Sequence, residues 1–231
     1  RVMDDSKPKY LNSPESRIFN KRRLLFAIYQ ALPEIRKKRQ AIMVEGYMDA
    51  ISLHAHGVTN VVASLGTAFT VEQARLLKKY ADEIVFSYDM DAAGQNATRR
   101  ALEIAGAVGL KLRVALVGEG KDPDEFVNLH GGEAYLEAVA QAQPALDYLF
   151  GALQRQYDAS TLDGQHHILD EMFAVLLAQQ DTFQFNSFIR KMAMTLHMDE
   201  GMIRSEALSF AKKNHSTLYI SQKTPLEAQT K

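Results

Sequence analysis

The stretch Ala41-Ile42-Met43-Val44-Glu45-Gly46-Tyr47-Met48-Asp49 joins four consecutive apolar residues to a turn that carries two acids. A short apolar run that ends at a glycine turn is typical of a buried strand. Residues 48–56 have the composition of a helix, and Gly57 suits the left-handed conformation that often follows a helix. The stretch therefore predicts a strand, a turn with acids and a helix.

The same unit recurs along the chain. Further buried strands are predicted at residues 58–63, 84–88 and 112–117, and a helix of residues 92–108 lies between the last two. Thr70 and Gln73 form a capping box that opens another helix, which extends to about Tyr80. Alternation of short apolar strands with helices predicts a Rossmann-like α/β domain, with a parallel sheet covered by helices on both faces.

The segments on either side lack this alternation. Helical spacing of apolar residues predicts one helix from Lys21 to Pro33 and a short second helix of residues 33–39. Beyond residue 132 no strand is predicted, and four or five helices would pack as a bundle, with breaks near Pro144, Gly164 and Asp181. We expect four regions: a basic segment 1–39, the α/β domain 40–130, a helical subdomain 131–213, and a disordered tail or linker 214–231.

The overall charge conceals a strong asymmetry. The 231 residues carry a net charge of −1, but residues 1–39 hold 11 Lys/Arg against 4 Asp/Glu. Residues 40–130 and 131–231 each hold 8 against 12. A basic segment of this density suits a phosphate chain, and a solvated face is the alternative interpretation.

Composition excludes several classes of protein. There is no cysteine, which excludes disulfide scaffolds, cysteine nucleophiles and thiolate zinc sites in this chain and fits a cytoplasmic protein. No apolar run approaches the roughly 20 residues of a membrane span, and no signal peptide opens the chain. Because the chain starts Arg1-Val2-Met3, we expect it to be a fragment of a longer protein.

Acids follow three of the four predicted strands. Ligands of open parallel sheets bind at the carboxyl ends of the strands, so these side chains should approach one another there. Converging carboxylates repel unless a cation lies between them, and an all-oxygen set suits Mg²⁺ or Mn²⁺. Six or seven acids would converge at this edge, from the set Glu45, Asp49, Asp89, Asp91, Asp122, Asp124 and Glu125.

Each acid also fits a purely structural interpretation. Glu45 could be an acid at a helix start, and Asp89 and Asp91 could cap the following helix. Asp122-Pro123-Asp124-Glu125 is ordinary chemistry for a helix start. The coincidence of all three groups at one edge of the sheet favours the metal site.

This pattern resembles a known family. Glu45-Gly46, Asp89-x-Asp91 and Asp122-x-Asp124 resemble the Toprim domain of primases, topoisomerases and nucleases. Three further segments look like the bacterial DnaG-type DNA primase over about residues 1–140: Val44-Glu45-Gly46-Tyr47-Met48-Asp49, Ala63-Ser64-Leu65-Gly66-Thr67, and Pro8-Lys9-Tyr10-Leu11-Asn12-Ser13-Pro14-Glu15 followed by Ile18-Phe19-x-Lys21. Met90 departs from the glycine that the family usually has between its two aspartates.

The resemblance implies an enzyme, a primase-type nucleotidyltransferase that makes short RNA primers on single-stranded DNA for replication. Its partners would be the template strand, ribonucleoside triphosphates and the RNA primer. It implies two or more Mg²⁺ or Mn²⁺ ions and no organic cofactor. By the resemblance, Glu45, Asp89 and Asp91 would be catalytic. The ions would be held by Glu45, Asp49, Asp89, Asp91, Asp122 and Asp124. Residues that match the family's template and nucleotide groove are Lys9, Tyr10, Asn12 and Lys21.

The resemblance also implies missing parts and leaves alternatives. The family's zinc module and its helicase-binding domain would lie outside this chain, so the replicative helicase would be contacted by a domain absent here. We therefore expect a monomer that primes weakly alone and contacts no membrane. A Toprim nuclease or topoisomerase fragment is the alternative enzyme, and a non-catalytic nucleic-acid-binding module is the third hypothesis.

Overall fold

The computed structural model describes residues 16, 19–66, 68–88, 92–117, 122–179 and 181–214, with the backbone alone at residues 92–95. These residues form strands that alternate with helices in the first half and helices in the second half. The elements are α1 (Ile28–Lys38), β1 (Gln40–Val44), α2 (Tyr47–Ala55), β2 (Val61–Ala63), α3 (Val71–Lys78), β3 (Glu83–Phe86), α4 (Ala92–Val108), β4 (Lys111–Val114), α5 (Pro123–Ala140), β5 (Gln143–Pro144), α6 (Ala145–Gln156), α7 (Leu162–Leu176), α8 (Thr182–Leu196) and α9 (Glu200–Lys213).

The strands form one sheet in the order β2-β1-β3-β4-β5. The first four are parallel, with Ile42 of β1 opposite both Val61 of β2 and Val85 of β3. The predicted α/β class with a mostly parallel sheet is therefore confirmed. Because β1, β3 and β4 run in one direction, the loops that follow them leave the sheet at the same edge, here called the carboxyl edge.

Alternation along the strands divides the buried side chains between two cores. Met43, Phe86 and Val114 lie on one face, in a core shared with α1, α3, α4 and the C-terminal helices. Ile42, Val44 and Val85 point to the other face, where α2 and α5 cover them. Helices thus cover both faces, as predicted, and the two faces are named below by their helices, α3–α4 and α2–α5.

The predicted helix from Lys21 to Pro33 is wrong at both ends. Residues 21–27 form a turn and an antiparallel bridge between Phe26 and Ala63, and helix α1 then runs through Pro33 to Lys38. Leu24 has helical spacing, but its carbonyl accepts a hydrogen bond from the Gln73 side chain instead. A tertiary contact thus takes a backbone group that the helix would have needed.

The prediction that no strand follows residue 132 is also wrong, since β5 pairs antiparallel with β4. Arg113 explains the position of β5: its guanidinium donates to the carbonyls of Ala140 and Ala142 and holds the chain after α5 against β4. The helical region α6 to α9 was predicted. The predicted breaks near Pro144 and Asp181 are confirmed, since α6 begins after Pro144 and Asp181 is the N-cap of α8. The break predicted near Gly164 falls earlier, at residues 157–161, and Gly164 lies inside the first turn of α7. No helix among the described residues has both the length and the apolar character to cross a membrane.

Candidate active site

Glycine and aspartate build the turn between β1 and α2. Asp49 Oδ2 accepts a hydrogen bond of 3.0 Å from the Gly46 backbone N–H, which closes the first turn of α2. A Cβ at Gly46 would stand 2.9 Å from that same oxygen. Glycine therefore fits because the carboxylate occupies the space of a side chain. Asp49, a predicted metal ligand, has a structural task in this turn.

Glu45 lies on the α3–α4 face of the carboxyl edge, beside a cleft of about 330 Å³. The Ser64 hydroxyl donates to the Glu45 carbonyl at 3.1 Å and ties the β1–α2 turn to the end of β2. The exposed Glu45 carboxylate is close enough to Tyr88 for its charge to raise the pKa of that phenol, after the larger effect of burial. Residues that line the cleft include Glu45, Ser64, Gly66, Phe69, Tyr88 and Arg100.

The acids at the start of α5 are also engaged in local contacts. Asp122 Oδ1 accepts from the Glu125 N–H at 2.8 Å, so Asp122 is the N-cap that precedes Pro123. Asp124 Oδ1 accepts from the Ser52 hydroxyl of α2 and from the Asn128 amide, the latter at 2.8 Å. These contacts join α5 to α2. Among the described residues, no hydrogen bond occupies Oδ2 of Asp122 or Asp124.

The donor oxygens of these residues suit a divalent cation, but the positions of the side chains do not form a complete site for one. Carboxylate oxygens suit Mg²⁺ or Mn²⁺, whereas no three Asp, Glu or His side chains of the described residues converge on one point. Glu45 lies at the α3–α4 face, while Asp49 and Asp124 belong to the α2–α5 side. The β3–α4 loop leaves the sheet at this same edge, and Asp89 and Asp91 in that loop lie outside the described residues.

Two buried hydroxyls lie on the α2–α5 face of the sheet, the same side as Asp49 and Asp124. Ser87 follows β3, and Tyr135 comes from the second half of α5; neither hydroxyl makes a hydrogen bond of ordinary geometry among the described residues. Burial raises the pKa of Tyr135, the nearby Ser87 hydroxyl lowers it, and the charge of Asp49 raises it further. The sequence pattern marked neither residue, because a tyrosine in an apolar helix looks like ordinary core.

Gln73 fastens the basic segment to the α/β domain. Its side chain is fully buried, and its amide donates to the carbonyls of Lys21 at 3.1 Å and Leu24 at 2.9 Å. The amide oxygen also accepts from the Thr70 N–H, which completes the predicted capping box. The Thr70 hydroxyl donates to the Arg22 carbonyl at 2.6 Å. The backbone of Lys21, a predicted nucleotide-binding residue, is therefore held at the start of α3, next to the loop that lines the cleft.

Two groups of cations can be distinguished in the part of the basic segment that the structure describes. At the end of α1, Arg36 stacks on the Tyr80 ring at 4.8 Å, and Arg39 pairs with Asp82 at 2.7 Å. Lys37 and Lys38 both lie near Glu34, at 3.7 and 3.5 Å. Arg22 and Arg23, by contrast, are exposed and have no ion pair among the described residues. The predicted groove residues Lys9, Tyr10 and Asn12 lie outside the described residues.

A larger cleft of about 460 Å³ lies at the opposite edge of the sheet. It lies between the amino ends of β3 and β4 and the α6–α8 helices, and its polar lining includes Glu83, Lys111, Arg113 and Gln179. Of the predicted catalytic and metal-binding residues that the structure describes, none lines this cleft. Size alone would select this cleft, but the predicted acids that the structure describes lie at the carboxyl edge.

Comparison with known proteins agrees with this geometry. Residues 42–127 match a family of Toprim-like domains, and residues 1–32 match the N-terminal domain of the DNA primase catalytic core. The fold and the site therefore define an α/β protein of the Toprim class. A DNA primase of Clostridium acetobutylicum is 40% identical over 210 residues, which are 90% of this chain and 34% of that protein. The DNA primase of Escherichia coli K12 is 40% identical over 168 residues, 71% of this chain and 29% of that one.

Solved structures show the same relationship. A DNA primase domain from Pseudomonas aeruginosa superposes with a TM-score of 0.79 at 34% identity and covers 90% of this chain and 66% of that one. A DnaG primase catalytic domain bound to single-stranded DNA superposes with a TM-score of 0.76 at 34% identity, covering 87% and 65%. The chain belongs to the bacterial DnaG-type DNA primase family. It spans about a third of the length of the two primases compared above.

Proposed function

We propose that this chain is the catalytic core of a primase, which joins ribonucleoside triphosphates into short RNA primers on single-stranded DNA. The observation that carries the proposal is the carboxyl edge of a Toprim-class sheet, where Glu45 lies beside an open cleft and the acids of the α2–α5 side lie at the same edge. The family generally uses divalent metal ions, and two or more Mg²⁺ or Mn²⁺ ions are the ones we propose. No organic cofactor is required for this chemistry.

In the proposed reaction the 3′-hydroxyl oxygen of the growing primer attacks the α-phosphorus of the incoming nucleotide. The bond from that phosphorus to the bridging oxygen breaks, and pyrophosphate leaves. Bound cations would lower the pKa of the attacking hydroxyl and neutralise the leaving pyrophosphate. Glu45 is the candidate acceptor of the hydroxyl proton because it is an exposed acid that lines the cleft, on a turn that the Ser64 hydrogen bond holds in place.

The remaining acids would hold the cations. Asp122 and Asp124 each direct one oxygen into helix or interhelix contacts, so the other oxygen is the candidate ligand. Asp49 would contribute from the turn that it stabilises. Asp89 and Asp91 follow the central strand β3 and would complete the set. Fixed positions for the first three carboxylates reduce the reorganisation needed when a cation binds.

The template strand would lie along the basic segment. One relative of known structure is bound to single-stranded DNA, and the same partner suits this chain. Lys9, Tyr10, Asn12 and Lys21 remain our candidates for the groove. Lysines meet phosphates as point charges, Asn offers amide donors, and Tyr can stack on a base. Arg22 and Arg23 join them because no acid among the described residues neutralises either cation.

Salt dependence tests this part of the proposal. If Lys21, Arg22 and Arg23 each meet one phosphate, log affinity for a single strand should fall with log salt at a slope of about −2, measured by fluorescence anisotropy. Changing Arg22 and Arg23 to Ala should make the slope shallower by about 1.4. The matched change of Lys37 and Lys38 to Ala should leave it unaltered because Glu34 partners both lysines. Equal slopes for all three proteins would show that the template strand does not bind through Arg22 and Arg23.

Product analysis tests the activity. The chain would be assayed within the longer primase from which we infer it derives, with a single-stranded template, ribonucleotides and Mg²⁺ or Mn²⁺, and the products separated on a denaturing gel. Short RNA products are expected. Cleaved DNA without ribonucleotide incorporation would favour a Toprim nuclease, and binding without either product would favour a non-catalytic module.

We propose that the protein works as a monomer in the cytoplasm and meets the replicative helicase through a domain outside this chain.

A further inference from the structure

The cleft beside Glu45 combines an aromatic floor with opposite charges at its rim. Phe69, Phe86 and Tyr88 pack edge to face, with ring centroids 5.2 and 4.7 Å apart, and Phe69 and Tyr88 line the cleft. Glu45 supplies the negative group and Arg100 of α4 the positive one. A carboxylate alone would repel a phosphate, and the guanidinium at the rim offsets that repulsion.

Two consecutive arginines on α4 differ in their use. Arg99 is half-buried and pairs with Glu171 of α7, so its charge joins the helical region to the α/β domain. Arg100 is exposed at the rim of the cleft, and among the described residues it has neither a hydrogen bond nor an ion pair. A rigid helix position with an unneutralised guanidinium suits an anionic ligand, because the planar fork can donate two parallel hydrogen bonds to phosphate oxygens.

We infer that Arg100 binds a phosphate group of a nucleotide that enters the cleft between Glu45 and α4. The inference rests on the proposed nucleotidyl transfer and adds a residue that the acidic motifs do not include. Ala97 and Ala101, one helical turn apart, leave the wall beside Arg100 low enough for the ligand to approach. The phosphate can belong to the triphosphate of the incoming nucleotide or to a nucleic-acid strand, since both present the same oxygens.

Binding measurements on this chain test the inference and separate the two sources. Arg100→Ala, Arg100→Lys and wild type would be titrated with ATP in excess Mn²⁺ by calorimetry, and with fluorescein-labelled single-stranded DNA by anisotropy. Arg75→Ala is the matched control, because Arg75 is an exposed arginine on α3 that does not line the cleft. Thermal unfolding of every variant, followed by circular dichroism, checks that each is folded.

Arg100→Ala should weaken one of the two ligands about 10-fold or more, which is the effect of losing a charged hydrogen-bond pair. Arg100→Lys should recover only part of the affinity because an ammonium lacks the fork geometry. A loss confined to ATP assigns the triphosphate, and a loss confined to DNA assigns a strand phosphate. Affinities equal to those of Arg75→Ala for both ligands would overturn the inference.

Failure of the Arg100 inference can be distinguished from failure of the proposed activity. If wild type makes primers and Arg100→Ala binds both ligands normally, only the role of Arg100 fails. If Arg100→Ala loses affinity while wild type makes no RNA, the phosphate site stands and the proposed activity fails. Wild type that binds neither ATP nor DNA would overturn both. Kinetics in the longer primase add a last readout, since loss of a triphosphate contact should raise KM for the ribonucleotide more than it lowers kcat.

Discussion

The two faces of the sheet treat buried polar groups in opposite ways. On the α3–α4 face, Gln73 is fully buried, and its side-chain amide makes three hydrogen bonds to backbone groups. On the α2–α5 face, Tyr135 is equally buried, and its hydroxyl makes no hydrogen bond of ordinary geometry among the described residues. A fully bonded buried amide fixes its neighbours in place, whereas an unbonded hydroxyl only costs desolvation.

The difference has a counterpart in the acids. Glu45, on the α3–α4 face, lines a cleft, and its backbone carbonyl accepts a hydrogen bond from Ser64. On the other side, Asp49, Asp122 and Asp124 each use an oxygen to stabilise a helix start or the contact between α2 and α5. We propose that Glu45 meets a ligand on the α3–α4 face, and that the acids of the α2–α5 face combine their structural contacts with ligand binding.

The largest effect is expected from a substitution of Glu45, which should change activity without changing stability. Glu45→Gln should reduce primer synthesis about 100-fold or more, because it removes the candidate proton acceptor and one negative charge of the site. Its free energy of unfolding should stay within about 0.5 kcal/mol of wild type, since the side chain is exposed. A gel assay of primer yield and a urea titration would measure the two quantities.

Glu72→Gln is the matched control for Glu45→Gln. Glu72 is an acid in the first turn of α3 and does not line the cleft. It should keep its primer yield. If both variants lose activity to the same degree, the effect is one of general charge and Glu45 has no special role.

Gln73→Leu should give the largest loss of stability. The substitution leaves the carbonyls of Lys21 and Leu24 without their partner and should lower the free energy of unfolding by about 2 kcal/mol. Limited proteolysis should then cut residues 19–26 faster, because their tie to α3 is gone. Gln30→Leu, at an exposed position of α1, should change neither quantity. An unchanged cleavage rate in Gln73→Leu would mean that the bridge from Phe26 to Ala63 alone holds the segment.

Gln73 also marks where prediction from sequence succeeds and where it stops. Strand alternation, the capping box at Thr70 and the left-handed Gly57 are local patterns, and each predicted the element that the structure has. The second task of Gln73 depends on a segment about fifty residues earlier in the chain, for which no local pattern exists. That same contact is why residues 21–27, with their helical spacing, do not form a helix.

The acids show the same limit. Their placement after parallel strands predicted that they gather at one edge, and the strand order supports this. Which oxygen is used for a cap, and on which face each carboxylate lies, depends on the meeting of α2 with α5. The two-residue strand β5 could not be predicted from sequence, because its pairing with β4 depends on Arg113, whose side chain reaches a backbone carbonyl after α5.

Asp122 tests whether one carboxylate can serve both as a cap and as a ligand. Asp122→Ala should lower the free energy of unfolding by about 1 kcal/mol because the N-cap of α5 is lost. Asp122→Asn should keep this stability, since an amide oxygen also caps, yet it should bind Mn²⁺ more weakly because the charge is gone. Urea titration and calorimetry would measure these effects. Wild-type Mn²⁺ affinity in Asp122→Asn would leave Asp122 with its structural task alone.

Tyr135→Phe should change stability in the opposite direction. Removing a buried hydroxyl that has no well-formed hydrogen bond should raise the free energy of unfolding by about 1 kcal/mol. Tyr148→Phe, on α6, is the matched control for loss of a phenol oxygen. A loss of stability in Tyr135→Phe would show that Ser87 or a bound water satisfies the hydroxyl, and the contrast between the two faces would then disappear.

The smallest effect is expected from a substitution of Asp82, at the opposite edge of the sheet. The carboxylate of Asp82 pairs with Arg39 and has no proposed ligand. The hydrogen bonds from Arg39 hold the pKa of Asp82 below its usual value of 3.8. A lowered pKa in the folded state means that the pair stabilises the protein above the unfolded pKa, and that this contribution is lost as the pH falls through the folded pKa. Asp82→Asn should therefore differ slightly from wild type between about pH 5 and 7, and the difference should be lost as the pH falls through the lowered pKa of Asp82. Urea titrations across that range would measure it; a difference that persists in acid would show that the substitution disturbs packing rather than charge.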